Sequence, residues 1–210
     1  MLTTKELLAF QMAHAKARDA VLHDLDCTFF VQRHTLVVHS AAPNRAIYLR
    51  RPDLGRRLAN DQKLERGDYD AAIILADGLS ATAVHRHAGS VLDALLPLLE
   101  GWKLAPVVVA QQARVAISDE IGEQLGAKMS LILIGERPGL SSADSMGAYL
   151  TYNPQPGLTD ESRNCISNIR PQGLTNKPAA DKIFYLVNEA FRRKLSGVGL
   201  KDNWSLVIGH

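Results

Sequence analysis

The chain has 210 residues, room for one α/β domain of ordinary size with an appendage, and its 46% hydrophobic content is enough for a real core. The net charge of +2 makes no global case for nucleic acid, although residues 1–66 hold 11 Lys/Arg against 7 Asp/Glu and the remainder 13 against 15. Two distant cysteines, Cys27 and Cys165, argue against a disulfide scaffold and fit a reducing compartment, and no apolar run nears the ~20 residues of a membrane span.

The opening Met1-Leu2-Thr3-Thr4-Lys5 lacks the apolar core of a signal peptide. Thr3-x-x-Glu6 has capping-box spacing, and Leu7, Leu8, Gln11, Ala15, Val21 and Leu22 keep a loose helical period. Together they predict a helix over 4–23. Residues 35–39 read as a short strand. Ser40 to Arg57 is irregular and Arg- and Pro-rich, with a helical turn expected only near Arg51–Leu58. The basic excess centres there, on Arg45, Arg50, Arg51, Arg56 and Arg57. It reads equally as a solvated face or a binding patch.

The pattern changes near Asp68. Residues 71–76 read as a buried strand broken by Asp77-Gly78, with Ser80 or Asp77 placed to cap the next helix. In that helix Ala81, Val84, Ala88, Val91, Leu92, Leu95, Leu96 and Leu99 hold helical spacing. Residues 106–110 form a second strand. Ser118 can cap a short helix that stops at Gly126. A third strand over 129–135 ends in the loop Gly135-Glu136-Arg137-Pro138-Gly139-Leu140. Ser141–Ser145 followed by Met146–Tyr149 reads as a capped helix start. Residues 164–170 read as a fourth strand. A last helix spans 177–195, with Gly197 ending it. Strand and helix alternation predicts an α/β fold with a mainly parallel, Rossmann-like sheet and flanking helices. A helical and irregular segment, 1–66, precedes that domain, 67–210.

Ligands of open α/β sheets sit at the carboxyl ends of the strands, which singles out Glu136 and Arg137. These two either meet a ligand or pair with each other. No GxGxxG and no GxxxxGK[ST] follows the first buried strand, so a standard dinucleotide site or P-loop has no support. His85 and His87 are two apart, off a common helix face, and read as surface or helix-flank residues rather than metal ligands. Cys165 has no neighbouring His or Lys to activate it. Core packing is its default reading, with ligand contact through its backbone as the rival.

Several motifs occur in register: Leu8-Ala9-Phe10 with Arg18-Asp19, Tyr48–Leu58, Asp77-Gly78-Leu79-Ser80, Asp119–Ala127, Ile134–Leu140 and Asn164–Ile169. With them the chain resembles the small (light) subunit of ethanolamine ammonia-lyase, over about residues 4–200. The resemblance implies a subunit that binds adenosylcobalamin together with a large barrel subunit. That complex would convert ethanolamine to acetaldehyde and ammonia by a radical mechanism. The family's cobalamin-contacting positions match Val115, Glu136 and Cys165. The substrate pocket would belong mainly to the large subunit, so neither a catalytic residue nor a metal ligand is assigned here. There is no Asp-x-His-x-x-Gly, and the cofactor is expected base-on. The resemblance also implies a higher hetero-oligomer of large/small pairs, with no nucleic acid and no membrane. The expected setting is the cytoplasm, free or inside a bacterial microcompartment. Two other readings stay open: a non-catalytic structural subunit, and a stand-alone nucleotide- or flavin-binding module.

Overall fold

The computed structural model describes residues 3–33 and 35–204. Thr3 opens helix α1 (Thr4–Leu22) with the predicted capping box: its hydroxyl accepts the Glu6 N–H at 3.3 Å, and the Glu6 carboxylate accepts the Thr3 N–H at 2.7 Å. Only Ala20 of α1 is buried, and Leu7, Leu8, Phe10 and Met12 are exposed.

Strand β1 (Thr35–His39) follows, then a one-and-a-half-turn helix α2 (Arg45–Arg50). This helix lies before the expected Arg51–Leu58 turn. Asn44 caps it, its Oδ1 accepting the Ile47 N–H at 3.0 Å. Pro52 stops it by keeping Arg51 out of the helical region, at φ −126° and ψ 72°. Only a single 3-10 turn, Leu54–Arg56, falls inside the predicted stretch.

The remaining elements are β2 (Tyr69–Ala76), α3 (Ala81–Leu95), β3 (Val107–Gln111), α4 (Ile117–Leu125), β4 (Ala127–Gly135), β5 (Met146–Tyr152), β6 (Arg163–Ile169) and α5 (Asn176–Arg193). Ser80 caps α3, accepting the Ala83 N–H at 3.3 Å. Ser118 does not cap α4. Its hydroxyl donates to the Val115 carbonyl at 2.9 Å, and Ala116 precedes the helix without a side-chain cap. Gly126 ends α4 as predicted, at φ 72°. For α5 the left-handed residue is Lys194 rather than Gly197.

The six strands form one sheet in the order β1-β3-β2-β4-β5-β6. The first four are parallel, β5 runs antiparallel to them and β6, antiparallel to β5, returns to their direction, so the sheet is mixed. The clearest correction concerns 146–152, predicted as a helix start. Met146, Ala148 and Leu150 alternate into the core, and the strand pairs with β4 from Gly135↔Met146 to Met129↔Tyr152. A buried β4 must have its second row of backbone groups satisfied, which outweighs the serine capping signals. Ser141–Ser145 instead forms the connecting loop, pinned by Ser80 Oγ donating to the Ala143 carbonyl at 2.8 Å.

Cross-strand partners share a face, and so do alternate residues along a strand. One face, with Ile73, Leu75, Val109, Leu131, Leu133 and Leu150, is covered by α3 and α5. The other, with Ile74, Val108, Ala110, Ile132 and Ile134, is covered by α4 together with Leu58 and Leu64 of the preceding segment.

The N-terminal segment is tied to the sheet at Asp77, the residue after β2. Its carboxylate accepts from Arg45 Nη1 and from the backbone N–H groups of Gln112 and Ala113, each at 2.9 Å. Arg45 Nε donates to the Val21 carbonyl at 2.8 Å, which links the end of α1 to the same point. The Tyr48 hydroxyl lies 2.8 Å from both the Gly78 and Ala113 carbonyls. Burial pushes the Asp77 carboxyl up to about 6, against the pull of Arg45 and the surrounding amides.

Removing Asp77 would leave a buried guanidinium and two N–H groups without their acceptor. Asp77→Ala should therefore cost about 3–5 kcal/mol in urea unfolding at neutral pH. A loss under about 1 kcal/mol would contradict the role given to this pair. The raised carboxyl also fixes a sign: its contribution to stability is complete below about pH 4 and is lost as pH rises through about 6. That component of the pH dependence should be absent from the variant.

Candidate functional site

Val115 sits in the turn between β3 and α4. The turn is held by the two bonds to Asp77 and by the Arg114 N–H, which donates to the Gly55 carbonyl at 2.7 Å. Gln112 starts it in a left-handed conformation, φ 55°. Val115 is half-buried against the core on the α4 side.

Glu136 follows β4 directly and is half-buried. It does not pair with Arg137. Its carboxylate accepts the Ser145 hydroxyl at 2.5 Å and the Asn168 N–H at 3.3 Å to each oxygen. Arg137 is exposed and turns toward a groove of about 1000 Å³.

Cys165 lies in β6 opposite Tyr149, which is itself opposite Ile132 of β4. It is exposed, not packed in the core. β6 is an edge strand, and α4 reaches it at Arg163, which bonds Asp119. Strand alternation places Glu136, Gly147, Tyr149 and Cys165 on the α4 face of the sheet, where Gly147 is buried, Tyr149 packs partly against the α4-side core and Cys165 is exposed.

Val115 and Glu136 therefore stand at the carboxyl edge, while Cys165 lies further down the open face. From strand spacings, the Cα atoms of Glu136 and Cys165 are about 16 Å apart. The side chains close much of that gap, because the Glu136 carboxylate lies 3.3 Å from the N–H of Asn168, three residues beyond Cys165 on β6. Gly147 sits between them, and a Cβ there would come within 3.1 Å of both Glu136 Oε1 and the Tyr149 ring. The glycine is buried, and its bare backbone lets Glu136 and the Tyr149 ring pack close.

The groove beside Val115 is also lined by Arg56, Arg57, Arg114 and Arg137; Glu136 and Cys165 themselves lie outside it. Arg114 stacks its guanidinium 4.5 Å above the Tyr48 ring, and its buried Nε has no hydrogen-bond partner. An unsatisfied buried donor at a groove wall suits an acceptor-rich ligand. The Arg-rich stretch thus divides. Arg45 is buried against Asp77, Arg51 pairs with Asp53 at 2.7 Å, Arg57 lies 3.7 Å from Glu120, and Arg56 remains on the groove.

Beneath the groove, Arg163 of β6 donates to Asp119 of α4 at 2.8 Å, to Thr151 Oγ1 at 3.2 Å and to the Leu158 carbonyl at 2.9 Å. Burial raises the Asp119 carboxyl, opposed by Arg163. Asp119 opens one of the motifs in register, but its pairing with Arg163 is not legible in the sequence, because nothing local marks positions 44 residues apart as neighbours.

Burial, then a hydrogen bond with Cys165, holds the Tyr149 hydroxyl well above the ordinary tyrosine range. Desolvation raises the Cys165 thiol as well. The histidines of α3 have local tasks: His85 Nε2 accepts the Asp26 N–H at 3.0 Å, and buried His87 holds the Asp144 carbonyl at 3.1 Å. His87 is thus in the core, not on the surface as expected. Among the described residues no group of three His, Cys, Asp or Glu is placed to hold a metal ion, and no helix is long and apolar enough to cross a membrane.

Comparison with known proteins agrees along nearly the whole chain. The profile described as Ethanolamine ammonia-lyase light chain (EutC) matches residues 1–201. The ethanolamine ammonia-lyase small subunit of Xanthomonas campestris pv. campestris is 53% identical over 217 residues, covering 96% of this chain and 80% of that protein. The proteins of the same name from Pseudomonas aeruginosa and Ralstonia nicotianae are 54% and 51% identical, each with the same coverage.

The raised thiol yields a test of the site's character. In a Cys27→Ser background, alkylation of Cys165 by iodoacetamide should be slow at neutral pH and accelerate only above the ordinary thiol range near about 8.5. Fast modification at about pH 6–7 would mean an activated thiolate and would contradict a binding role.

Proposed function

The chain belongs to the ethanolamine ammonia-lyase light-chain family, and from that premise we propose that it forms one wall of an adenosylcobalamin site completed by a large subunit. The observation that carries the proposal is that Val115, Glu136 and Cys165 lie on the same side of the sheet, Val115 and Glu136 half-buried at its carboxyl edge and Cys165 exposed on the edge strand. The matching family positions are these same three residues.

Each has a distinct task in this reading. Val115 offers apolar contact at the groove mouth. Glu136, with acceptor sites left over from Ser145 and Asn168, takes N–H groups from the amides that rim the corrin. Cys165 and Tyr149 present a neutral surface on the exposed face, which places no competing charge or nucleophile beside the cofactor. Arg114, which lines the groove beside Val115, offers its guanidinium to an acceptor there. When bound, the cofactor supplies the radical chemistry; this chain binds, orients and excludes water. The cofactor is taken base-on, as the family resemblance implies.

The large subunit would carry most of the substrate pocket and seat on the open face. Residues 1–66, with exposed α1 and the Arg-rich stretch, would be the partner-docking segment, and 67–210 the cobalamin-binding domain. Large/small pairs would assemble further into a hetero-oligomer, cytoplasmic or enclosed in a bacterial microcompartment.

The direct test is acetaldehyde formation from ethanolamine by this chain mixed with its large partner, with and without adenosylcobalamin. Product should require both chains and the cofactor, with neither chain active alone. No product from a well-folded, co-eluting pair would overturn the reading. Glu136→Ala should weaken cobalamin binding to the two-chain complex about tenfold, the scale of one hydrogen bond to a charged group.

A further inference from the structure

Strand β6 carries one residue too many. Met146 faces Ile169 and Ala148 faces Ile166, so three steps along β6 oppose two along β5. The surplus is taken up by a bulge, in which Asn168 adopts the left-handed φ of 62°. Asparagine tolerates this conformation better than most residues. The bulge is pinned on both sides. The Asn168 carbonyl accepts the Leu174 N–H at 2.9 Å, and its Oδ1 accepts Arg170 Nε at 2.6 Å. The consequence is local: the Asn168 N–H leaves the ladder and points at both Glu136 oxygens, 3.3 Å from each.

The opposite side of the carboxylate is held more tightly. Ser145 is buried at the end of the 136–145 loop, and its hydroxyl donates to Glu136 Oε2 at 2.5 Å, the length of a strong charge-assisted bond. The loop is closed at its root by the Glu136 N–H donating to the Ser145 carbonyl at 2.9 Å. Free rotation of Glu136 is thereby suppressed from two directions, one set by a side chain and one by a strained backbone. Strain of this kind collects where a functional group has to be aimed.

We infer that Ser145 and the Asn168 bulge are positioning residues, which fix the Glu136 carboxylate so that its remaining acceptor sites face the open sheet surface. They act through Glu136 and need touch no ligand themselves. The inference rests on the cofactor role proposed for Glu136. It assigns to the bulge a purpose that pairing of β5 with β6 alone does not require.

A double-mutant cycle tests it on the assembled two-chain complex, with cyanocobalamin affinity read by absorbance titration and thermal unfolding read in parallel. Ser145→Ala should weaken cobalamin binding about three- to tenfold. Ser145→Thr keeps the hydroxyl and should restore most of it. In a Glu136→Ala background, Ser145→Ala should produce no further loss. An equal loss in that background would make Ser145 a general structural residue and overturn the inference, as would unchanged affinity in Ser145→Ala alone. If Glu136→Ala itself leaves affinity unchanged, the cofactor role of Glu136 fails first; if Glu136→Ala weakens binding and Ser145→Ala does not, only the positioning claim fails.

Discussion

The carboxylate of Asp77 is the point on which the carboxyl edge of this sheet is organised. It stands at the end of a central strand, completely buried, with β3 on one side and β4 on the other. Three donors converge on it: a guanidinium from the N-terminal segment and two amides from the chain leaving β3. The amides set the path that carries Val115 to the groove. The guanidinium brings α2 down beside that path, and Tyr48 then spans Gly78 and Ala113. A buried pair of this kind adds little net stability over a hydrophobic substitute, but losing one partner is expensive. Its value here is geometric, since it welds the N-terminal segment to the edge where a ligand would lie.

The second constraint is an imbalance of cover. Six strands are laid side by side, yet one face has the nine-residue α4 as its helical shield, helped by Leu58 and Leu64. α4 reaches as far as the start of β6, where Thr151 and Arg163 are buried, and exposure on this face begins beyond them, at Cys165 and Ser167. Arg163 and Asp119 tie α4 to β6 from beneath, so the open ground is rigidly framed. An uncovered stretch of sheet in an otherwise closed core is what a subunit that shares a ligand with a partner would have to keep. The same face carries Glu136, Gly147, Tyr149 and Cys165. Fold and proposed function therefore meet in one surface.

Much of this architecture was legible from the sequence, and the gaps have physical causes. Helix α1, helix α3 and strands β2, β3 and β4 stood out because their patterns are long and local: a capping box, repeated turns of apolar spacing, and runs such as Leu131-Ile132-Leu133-Ile134. Strand β5 was misread because the serines of 141–145 imitate helix caps, while the demand of β4 for a second neighbour is invisible locally. The alternation of Met146, Ala148 and Leu150 was the signal that would have found it. Core packing is the default reading of the residues around Cys165, with ligand contact through its backbone as the rival, because a short apolar-polar alternation does not reveal an edge strand; the thiol is exposed. The three family positions came from the resemblance; their surroundings did not. Ser145, Asn168, Gly147 and Arg114 matter through contacts between residues well separated along the chain, and only the folded structure brings them to the site.

The central claim concerns where a cobalamin lies against this chain. A structure of the two-chain complex determined with the cofactor bound addresses that most directly. The prediction is a corrin spread over the open face of β4, β5 and β6, with Val115, Glu136 and Cys165 in contact and the large subunit closing the other side. A cofactor held wholly by the large subunit, with that face instead buried by protein or left to solvent, would contradict it.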